Sequence, residues 1–176
     1  MKFIFVRHGE TDWNKKGLLQ GHNDTELNKT GIQQAVQLLP TLEKYHFDVI
    51  YSSSLKRAYE TAKIISNHFN VPIIISDHLK EKNFGSLAGK SWQENSEATG
   101  KDLKTIDRRQ QYDYSPYGGE TAEEVKARVK KFIEEVKISG YKQPLVISHG
   151  GIIRVLRPYS DEVPKVMNAS VHQFDL

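Results

Sequence analysis

The stretch FVRHGETDWN, residues 5–14, decides the fold of this chain. The run that leads into it, residues 2–6, is apolar on both faces, which is typical of a strand buried inside a sheet. Residues 9–12 are turn formers, so the strand ends where Arg7 and His8 stand. In open α/β sheets, ligands bind at the carboxyl ends of the strands. An arginine and a histidine at this position therefore predict a ligand site.

A second stretch, VISHGG at residues 146–151, repeats the pattern of an apolar strand that ends on a histidine followed by glycine. If both strands run parallel in one sheet, His8 and His149 lie along the same edge, and the glycine after each lets a ligand approach the backbone. Arg57 follows a further strand and turn, and a helix that begins near Gly150 would add its backbone amides. Two histidines, two arginines and a helix N-terminus predict an anion site that suits a phosphoryl group.

Composition restricts the class of protein. The chain has 176 residues, of which 38% are hydrophobic and 27% charged, which predicts one globular domain over residues 1–176. It has no cysteine, which excludes disulfides, thiolate catalysis and cysteine zinc sites. No apolar run is long enough for a membrane span and the first strand follows Met1 almost directly, so we expect a cytoplasmic protein without a signal peptide. A net charge of +3 is too small to predict nucleic-acid binding.

Strand and helix patterns alternate along the chain, which predicts an α/β fold. We expect a three-layer sandwich with a mainly parallel central sheet, helices on both faces, and the last strand, ASVHQFDL, at a sheet edge. In the first long helix, a capping box at Thr30 and Gln33 precedes an apolar stripe that should face the core, made of Ile32, Val36 and Leu39. Residues 80–120 carry few periodic features and are predicted to form a short irregular lid insertion.

Four motifs carry a family resemblance. RHGETDWN, SSSLKRAYETA, EKNFGSLAG and SHGGIIR occur in this order and spacing. Together they resemble the histidine phosphatase superfamily, in its phosphoglycerate-mutase-like branch, over residues 3–155. Their wording is most similar to that of small metabolite phosphatases such as the alpha-ribazole phosphatases. The resemblance implies an enzyme that transfers a phosphoryl group through a phosphohistidine.

The resemblance also implies roles for individual residues. His8 would be the residue that becomes phosphorylated, His149 would stabilise the phosphoryl group in transfer, and Glu81 would be the proton donor. Arg7 and Arg57 would act in catalysis by holding the phosphate oxygens. The phosphate pocket and its rim would comprise the matching positions Arg7, Asn14, Gln20, Gly21, Arg57 and Gly150.

The residue types suit phosphoryl transfer without a metal ion or another cofactor. A neutral His8 can attack phosphorus, and Arg7, Arg57 and His149 can stabilise the negative charge that a metal would otherwise neutralise. Two flanking arginines would repel a cation, which disfavours a zinc site built from the two histidines and a carboxylate. Taken without the family, Glu81 is more simply a loop carboxylate paired with Lys80 or Lys82.

The predicted function is hydrolysis of small phosphorylated metabolites by a phosphomonoesterase. The Gly150–Gly151 pair is typical of the phosphatases of this superfamily, whereas the mutases usually have asparagine after the first glycine. The stretch between residues 109 and 121 is also shorter than the insertion that covers the active site of the mutases, so water should enter. The sequence identifies neither the substrate nor the oligomeric state.

Two other functions stay open. Arg108 and Arg109 match an arginine pair that binds the phosphoglycerate carboxylate in the mutases, which makes a phosphoglycerate mutase the first alternative, although the pair would also suit a solvated helix face. A non-catalytic module that binds a phospholigand is the second alternative. The presence of both His8 and Glu81 disfavours it.

Overall fold

The computed structural model describes residues 1–157 and 165–176, and they form the expected α/β architecture. Five strands make one sheet in the order β3-β2-β4-β1-β5. Neighbouring strands run parallel except for the last strand, which lies antiparallel to the first at one edge. The strands are β1 (Lys2–Arg7), β2 (Val49–Ser52), β3 (Ile73–Ile75), β4 (Pro144–Ser148) and β5 (Val171–Asp175). A mainly parallel sheet with the final strand at its edge is thereby confirmed.

Helices cover both faces of this sheet. Three short 3₁₀ turns lie at Asp77–Leu79, Gly85–Leu87 and Ser115–Tyr117. Within the described ranges, no helix is long and apolar enough to cross a membrane. The α-helices are α1 (Asp12–Lys16), α2 (Lys29–Gln37), α3 (Leu39–Leu42), α4 (Lys56–Phe69), α5 (Trp92–Thr99), α6 (Leu103–Arg108), α7 (Ala122–Ile138) and α8 (Gly150–Val155).

Strand β1 shows how the sheet is buried on both sides. Its side chains alternate between the faces, as the pleat of a strand requires. Ile4 and Val6 pack in one core with residues of α3 and α4. Phe3 and Phe5 pack in a second core with residues of α7 and α8. Since burying one large apolar side chain stabilises the fold by roughly 1.5–3 kcal/mol, the four buried side chains of this strand fix it between β4 and β5.

The insertion at residues 80–120 is more regular than predicted. It contains the two helices α5 and α6 and packs on a third core that includes Phe84, Tyr112 and Tyr114. Helix α5 begins with a capping box in which Ser91 and Glu94 bond to each other's backbone N–H groups. This S-x-x-E pattern is a helix-start signal that the prediction of an irregular lid overlooked.

The capping box predicted at Thr30 and Gln33 is wrong. The N-cap of α2 is Asn28, whose side chain accepts a hydrogen bond from the backbone N–H of Gly31 at 2.8 Å. Thr30 and Gln33 both lie inside the helix. Asparagine caps a helix as well as threonine does, so the helix starts at the earlier of two suitable residues.

The face that α2 buries also differs from the prediction. Ile32 and Val36 are 48% and 50% exposed, whereas Gly31 and Ala35 are buried. Gly31 lies so close to the loop after β1 that a Cβ atom on it would collide with the backbone of Glu10. The helix therefore turns its small residues toward the loop, and two of its larger apolar residues face outward.

Candidate active site

The two strand-end histidines meet at the carboxyl edge of the sheet. Strands β1 and β4 are neighbours with Arg7 opposite Ser148, so the next residue of each strand, His8 and His149, lies side by side with the other. Their ring centroids are 5.1 Å apart, and both rings are almost fully buried. His8 lines a cavity of about 390 Å³. The two histidines therefore lie side by side at the edge of the sheet, as predicted.

The imidazole of His8 is held so that one nitrogen is free to react. Its Nδ1 lies 2.6 Å from the carbonyl oxygen of Gly9. A carbonyl only accepts hydrogen bonds, so Nδ1 carries the proton and Nε2 carries the lone pair. Burial lowers the pKa of His8 well below 6.5, and the charges of Arg57 and Arg7 lower it further. The ring is therefore neutral and can act as a nucleophile through Nε2.

Two arginines face the same cavity, Arg57 fully buried and Arg7 partly buried. Arg57, in the first turn of α4, donates from its two Nη atoms to the carbonyl oxygens of Asn23 and Gly21, both at 2.8 Å. Arg7 donates from Nη1 to the carbonyl of Val166 at 2.6 Å. Burial lowers the pKa of each arginine to about 10, so both remain charged near neutral pH. Carbonyl partners fix both guanidinium groups without neutralising them.

Three buried nitrogen atoms of this site lack a hydrogen-bond partner within residues 1–157 and 165–176: Nε of Arg7, Nε of Arg57 and Nδ1 of His149. The other ring nitrogen of His149, Nε2, lies 2.9 Å from Oγ of Ser53. Burial and the charge of Arg57 lower the pKa of His149 well below 6.5. Buried polar atoms of native proteins are rarely without a partner. Arg7 and Arg57 line the cavity, so the oxygens of a tetrahedral anion bound there would supply partners for their Nε atoms, whereas His149 lies beside His8 and is not one of the lining residues.

Glu81 is one of the residues that line the cavity. Its Oε1 accepts the backbone N–H of Lys82 and its Oε2 that of Gly151, both at 3.1 Å. Lys80 pairs instead with Asp77 at 3.0 Å, and the Lys82 side chain pairs with a different carboxylate. The alternative of a loop carboxylate paired with a neighbouring lysine is therefore wrong.

The backbone of Glu81 is fixed by groups that the sequence did not indicate. Its carbonyl oxygen lies 2.8 Å from Nε2 of His22 and accepts from Nη2 of Arg128 at 3.2 Å. Arg128 also donates to the carbonyl of His78 and forms an ion pair with Glu120 at 2.8 Å. One arginine of α7 thus holds both ends of the turn that carries Glu81.

The glycines that follow the histidines act differently from the prediction. A Cβ atom on Gly9 would collide with the backbone of Gly31, so Gly9 permits helix packing rather than ligand approach. A Cβ on Gly150 would make an ordinary contact with Arg7 at 3.6 Å, whereas one on Gly151 would collide with Glu81. The amide of Gly151 is likewise bonded to Glu81, so it does not point freely at a ligand.

The predicted rim residues do line the cavity, and one further residue supports them. Asn14, Gln20 and Gly21 all face it. Asn168, which the sequence analysis missed, donates from Nδ2 to Oδ1 of Asn14 at 3.1 Å and to the carbonyl of His8 at 3.1 Å. A single asparagine outside every motif carries no sequence signal for such a role.

Four further cationic side chains line the cavity besides Arg7 and Arg57. Lys104 and Arg108 of α6 and Arg154 of α8 line it, together with Lys165. Arg109 is exposed and is not one of the lining residues. The predicted arginine pair is therefore divided, because only its first member faces the cavity. Apolar side chains supply much of the remaining wall: Leu18, Leu19, Phe84, Trp92 and Val166.

A buried carboxylate, Asp107 of α6, connects the insertion to this site. It pairs with the ammonium group of Lys82 and accepts from the hydroxyl of Tyr114 at 2.9 Å and from Nη2 of Arg154 at 3.2 Å. The ammonium group also lies 4.3 Å from the centre of the Tyr112 ring. Burial lowers the pKa of Lys82, and the negative charge of Asp107 opposes that shift.

Known proteins match both the sequence and the fold. The family model described as histidine phosphatase superfamily (branch 1) matches residues 3–173. Phosphoglycerate mutase-like protein 4 of Arabidopsis thaliana is 36% identical, over 99% of this chain and 79% of its own. A metal-independent phosphoserine phosphatase of the same plant is 34% identical, over 97% and 74%. The solved structure of a mycobacterial glucosyl-3-phosphoglycerate phosphatase with VO3 has a TM-score of 0.82 at 27% identity, over 98% and 91%.

Proposed function

Because the chain belongs to branch 1 of the histidine phosphatase superfamily, we propose that it is a phosphomonoesterase that acts through a phosphohistidine on His8. One observation carries this proposal. The hydrogen bond from Nδ1 of His8 to the carbonyl of Gly9 leaves the Nε2 lone pair in a cavity that Arg7 and Arg57 also line. A neutral nucleophile beside two fixed positive charges is what phosphoryl transfer requires.

The reaction would proceed in two displacements. In the first, Nε2 of His8 forms a bond to phosphorus, the ester P–O bond breaks, and Glu81 gives its proton to the leaving oxygen. In the second, Glu81 takes a proton from water, whose oxygen forms a bond to phosphorus while the bond from Nε2 of His8 to phosphorus breaks, and inorganic phosphate is released. In both steps Arg7 and Arg57 would bind the equatorial oxygens, where negative charge is spread in the transition state. His149 would stabilise the same oxygens.

The bonds of Glu81 suit a group that both gives and takes a proton. Each carboxyl oxygen accepts one backbone N–H, and each oxygen has a second lone pair that can hold a proton. The two backbone donors hold the group at the cavity, and no side chain of residues 1–157 and 165–176 forms an ion pair with it.

We propose a substrate class from the cavity lining: phosphomonoesters that carry a second anionic group. Lys104, Arg108 and Arg154 bring positive charge to the cavity, besides the two arginines of the phosphate site. Asp107 is already bonded to Lys82, Tyr114 and Arg154, so it does not neutralise the other two cations. A carboxylate or second phosphate on the substrate would do so. The apolar side chains that also line the cavity suit a short carbon skeleton.

Trapping the intermediate tests the reaction. Rapid quenching after mixing with a ³²P-labelled monoester should leave label on the protein that is stable in base and lost in acid, as a phosphohistidine is. His8→Ala should abolish both the label and the hydrolysis, and the folded state of the variant is checked by circular dichroism. Substantial turnover by His8→Ala would refute the assignment of the nucleophile.

A matched pair of esters tests the substrate class. O-phosphoserine and O-phosphoethanolamine differ by one carboxylate, so the ratio of their kcat/KM values measures recognition of the second anion. Arg108→Gln and Lys104→Gln should each lower this ratio by about tenfold, the value of one charge-assisted hydrogen bond. Arg109→Gln is the control, because Arg109 is not one of the residues that line the cavity, and it should leave the ratio unchanged. Equal ratios in all four proteins would exclude the second anion site.

A second function, phosphoglycerate mutase, is favoured by one observation. Arg108 lines the cavity, at one of the two positions that match the carboxylate-binding arginines of the mutases. A mutase must exclude water from the phosphohistidine and return the phosphoryl group to the sugar acid. Phosphorus NMR of a mixture of 3-phosphoglycerate and 2,3-bisphosphoglycerate separates the two functions. We expect release of inorganic phosphate, and rapid exchange of the 2- and 3-isomers without free phosphate would establish the mutase instead.

A further inference from the structure

Ser53 directly follows strand β2 and forms a hydrogen bond with His149, one of the two buried histidines. Its side chain is fully buried, and Oγ lies 2.9 Å from Nε2 of His149. The same Oγ accepts a hydrogen bond from the backbone N–H of Leu55 at 3.3 Å. This serine belongs to the SSSLKRAYETA motif, from which the mechanism above uses only Arg57.

The hydrogen-bond count around Ser53 decides where the proton of His149 lies. A serine hydroxyl has one proton to donate. If the proton of the imidazole were on Nε2, Oγ would accept from both His149 and Leu55, and the buried hydroxyl proton would find no acceptor among the described residues. If the hydroxyl donates to Nε2 instead, all three groups are satisfied. The second arrangement places the imidazole proton on Nδ1.

We propose that Ser53 is a positioning residue that holds His149 in the tautomer with its proton on Nδ1. Nδ1 is the nitrogen of His149 that has no partner in the described part of the chain, and the ring lies 5.1 Å from that of His8. The inference rests on the proposed function, in which His8 carries the phosphoryl group.

The tautomer determines whether His149 attracts or repels that group. With a proton on Nδ1, the neutral ring donates a hydrogen bond to a phosphoryl oxygen, where negative charge accumulates in the transition state. In the other tautomer, Nδ1 would present a lone pair to the same oxygen. Removing one donor of this kind typically lowers kcat by about 10²–10³-fold. The hydroxyl of Ser53 thus acts on the reaction through His149 without touching the substrate.

The kinetic test compares two neighbouring serines. Ser53→Ala should lower kcat for 4-nitrophenyl phosphate by about 10²-fold or more, with KM changed only a few-fold, because the lost interaction develops in the transition state. Ser54→Ala is the matched control, since the hydroxyl of Ser54 bonds to Asp77 outside the site, and it should retain the kcat of the unmodified protein. Full activity of Ser53→Ala, or an equal loss in Ser54→Ala, would overturn the inference.

The spectroscopic test measures the tautomer itself. In protein labelled with ¹⁵N-histidine, long-range ¹H–¹⁵N spectra distinguish a protonated from an unprotonated ring nitrogen, and loss of a signal in His149→Gln assigns it. We expect His149 to show a protonated Nδ1, and Ser53→Ala to shift the population toward a protonated Nε2. A protonated Nε2 in the unmodified protein would overturn the inference, as would a changed tautomer with unchanged kcat. Because this measurement needs no turnover, failure of the proposed function, seen as absence of a phosphohistidine, is distinguishable from failure of this inference.

Discussion

The backbone N–H of Gly151 donates to Oε2 of Glu81 at 3.1 Å, and a Cβ atom on Gly151 would collide with Oε1 of the same carboxyl group. The amide of Gly151 thus binds the carboxyl group of Glu81, and the lack of a side chain on Gly151 leaves room for that group. Residues 81 and 151 come from distant parts of the chain, one from the loop after β3 and the other from the start of α8. The second glycine of SHGG is therefore explained by its contact with the proposed proton donor.

Glu81→Gln should slow hydrolysis in a way that depends on the leaving group. Alkyl phosphates leave poorly and need a proton, so we expect a loss of about 10²–10⁴-fold, the usual contribution of a general acid. Aryl phosphates such as 4-nitrophenyl phosphate need little protonation and should lose much less. Steady-state kinetics with both kinds of ester give the comparison. Equal losses for both would mean that Glu81 is not the acid.

Gly151→Ala should reproduce that pattern without altering the acid itself. The added methyl group displaces the carboxyl group, so hydrolysis of alkyl phosphates should fall by about tenfold or more, since a misplaced general acid loses part of its 10²–10⁴-fold contribution. The aryl ester serves as the control within each preparation. If alkyl and aryl esters lose activity equally, the substitution has damaged the phosphate site rather than the position of Glu81.

The sequence predicted the parts of the site that strand ends and motifs define. An apolar run that ends at a histidine places that histidine at the edge of the sheet. For this reason the sequence alone predicted that His8 and His149 lie close together. The position of Arg57 at this edge was also predicted, because the turn that joins its strand to its helix varies little in length. The mainly parallel sheet followed from the same alternation of elements.

The residues that sequence reasoning missed depend on contacts between distant segments. Asn168 bonds to the backbone of His8, and nothing local to residue 168 reports that contact. The exposure of Ile32 on α2 has a similar cause. Gly31 of the same helix packs closely against Glu10, and this packing takes precedence over the burial of Ile32. Asp107, to which the sequence assigned no role, is 2% exposed. In each case tertiary packing overrode a local pattern.

Dialysis against a chelator should leave the phosphatase activity unchanged. Arg7, Arg57 and His149 supply the charge and the hydrogen bonds that the transferring group needs. Among the described residues, no group of three or more His, Asp or Glu side chains is placed to hold a metal ion. Activity is measured before and after dialysis, with a metal-dependent phosphatase treated in parallel as the control. A loss that added magnesium or zinc restores would contradict the proposed mechanism.

Stability should decrease as the pH falls below about 6.5, in part because of the two buried histidines. Burial holds the pKa of His8 and of His149 well below 6.5 in the folded protein, whereas both titrate near that value in the unfolded chain. Below that pH the unfolded chain binds protons that the folded protein does not, so the free energy of unfolding falls; above it this contribution is absent. The slope reaches about 1.4 kcal/mol per pH unit for each group.

Urea denaturation between pH 5 and pH 7 measures this effect. His8→Asn removes one of the two groups and should give a shallower dependence of the free energy of unfolding on pH than the unmodified protein. The carboxylates that also titrate in this range are common to both proteins, so the difference between the slopes isolates His8. Identical slopes would mean that His8 takes up a proton in the folded state.

The buried pair of Lys82 and Asp107 should respond unequally to loss of either member. Their side chains are 3% and 2% exposed, and removing one partner of a buried ion pair typically costs about 3–5 kcal/mol. Asp107→Leu leaves the Lys82 ammonium without an anion and also deprives Tyr114 and Arg154 of their acceptor. Lys82→Met leaves Asp107 with those two donors. We therefore expect Asp107→Leu to reduce the free energy of unfolding more than Lys82→Met does.

Urea denaturation of the single and double variants tests this order. Lys82→Met combined with Asp107→Leu removes both charges, so the double variant should be more stable than Asp107→Leu alone, because no uncompensated ammonium is left in the core. Lys80→Met is the control, since the Lys80–Asp77 pair is 29% and 71% exposed and such pairs contribute only about 0–1 kcal/mol. If Lys82→Met proves as costly as Asp107→Leu, the two other donors do not stabilise the carboxylate. The pair with Lys82, which lies in the same insertion, would then be the interaction that stabilises Asp107.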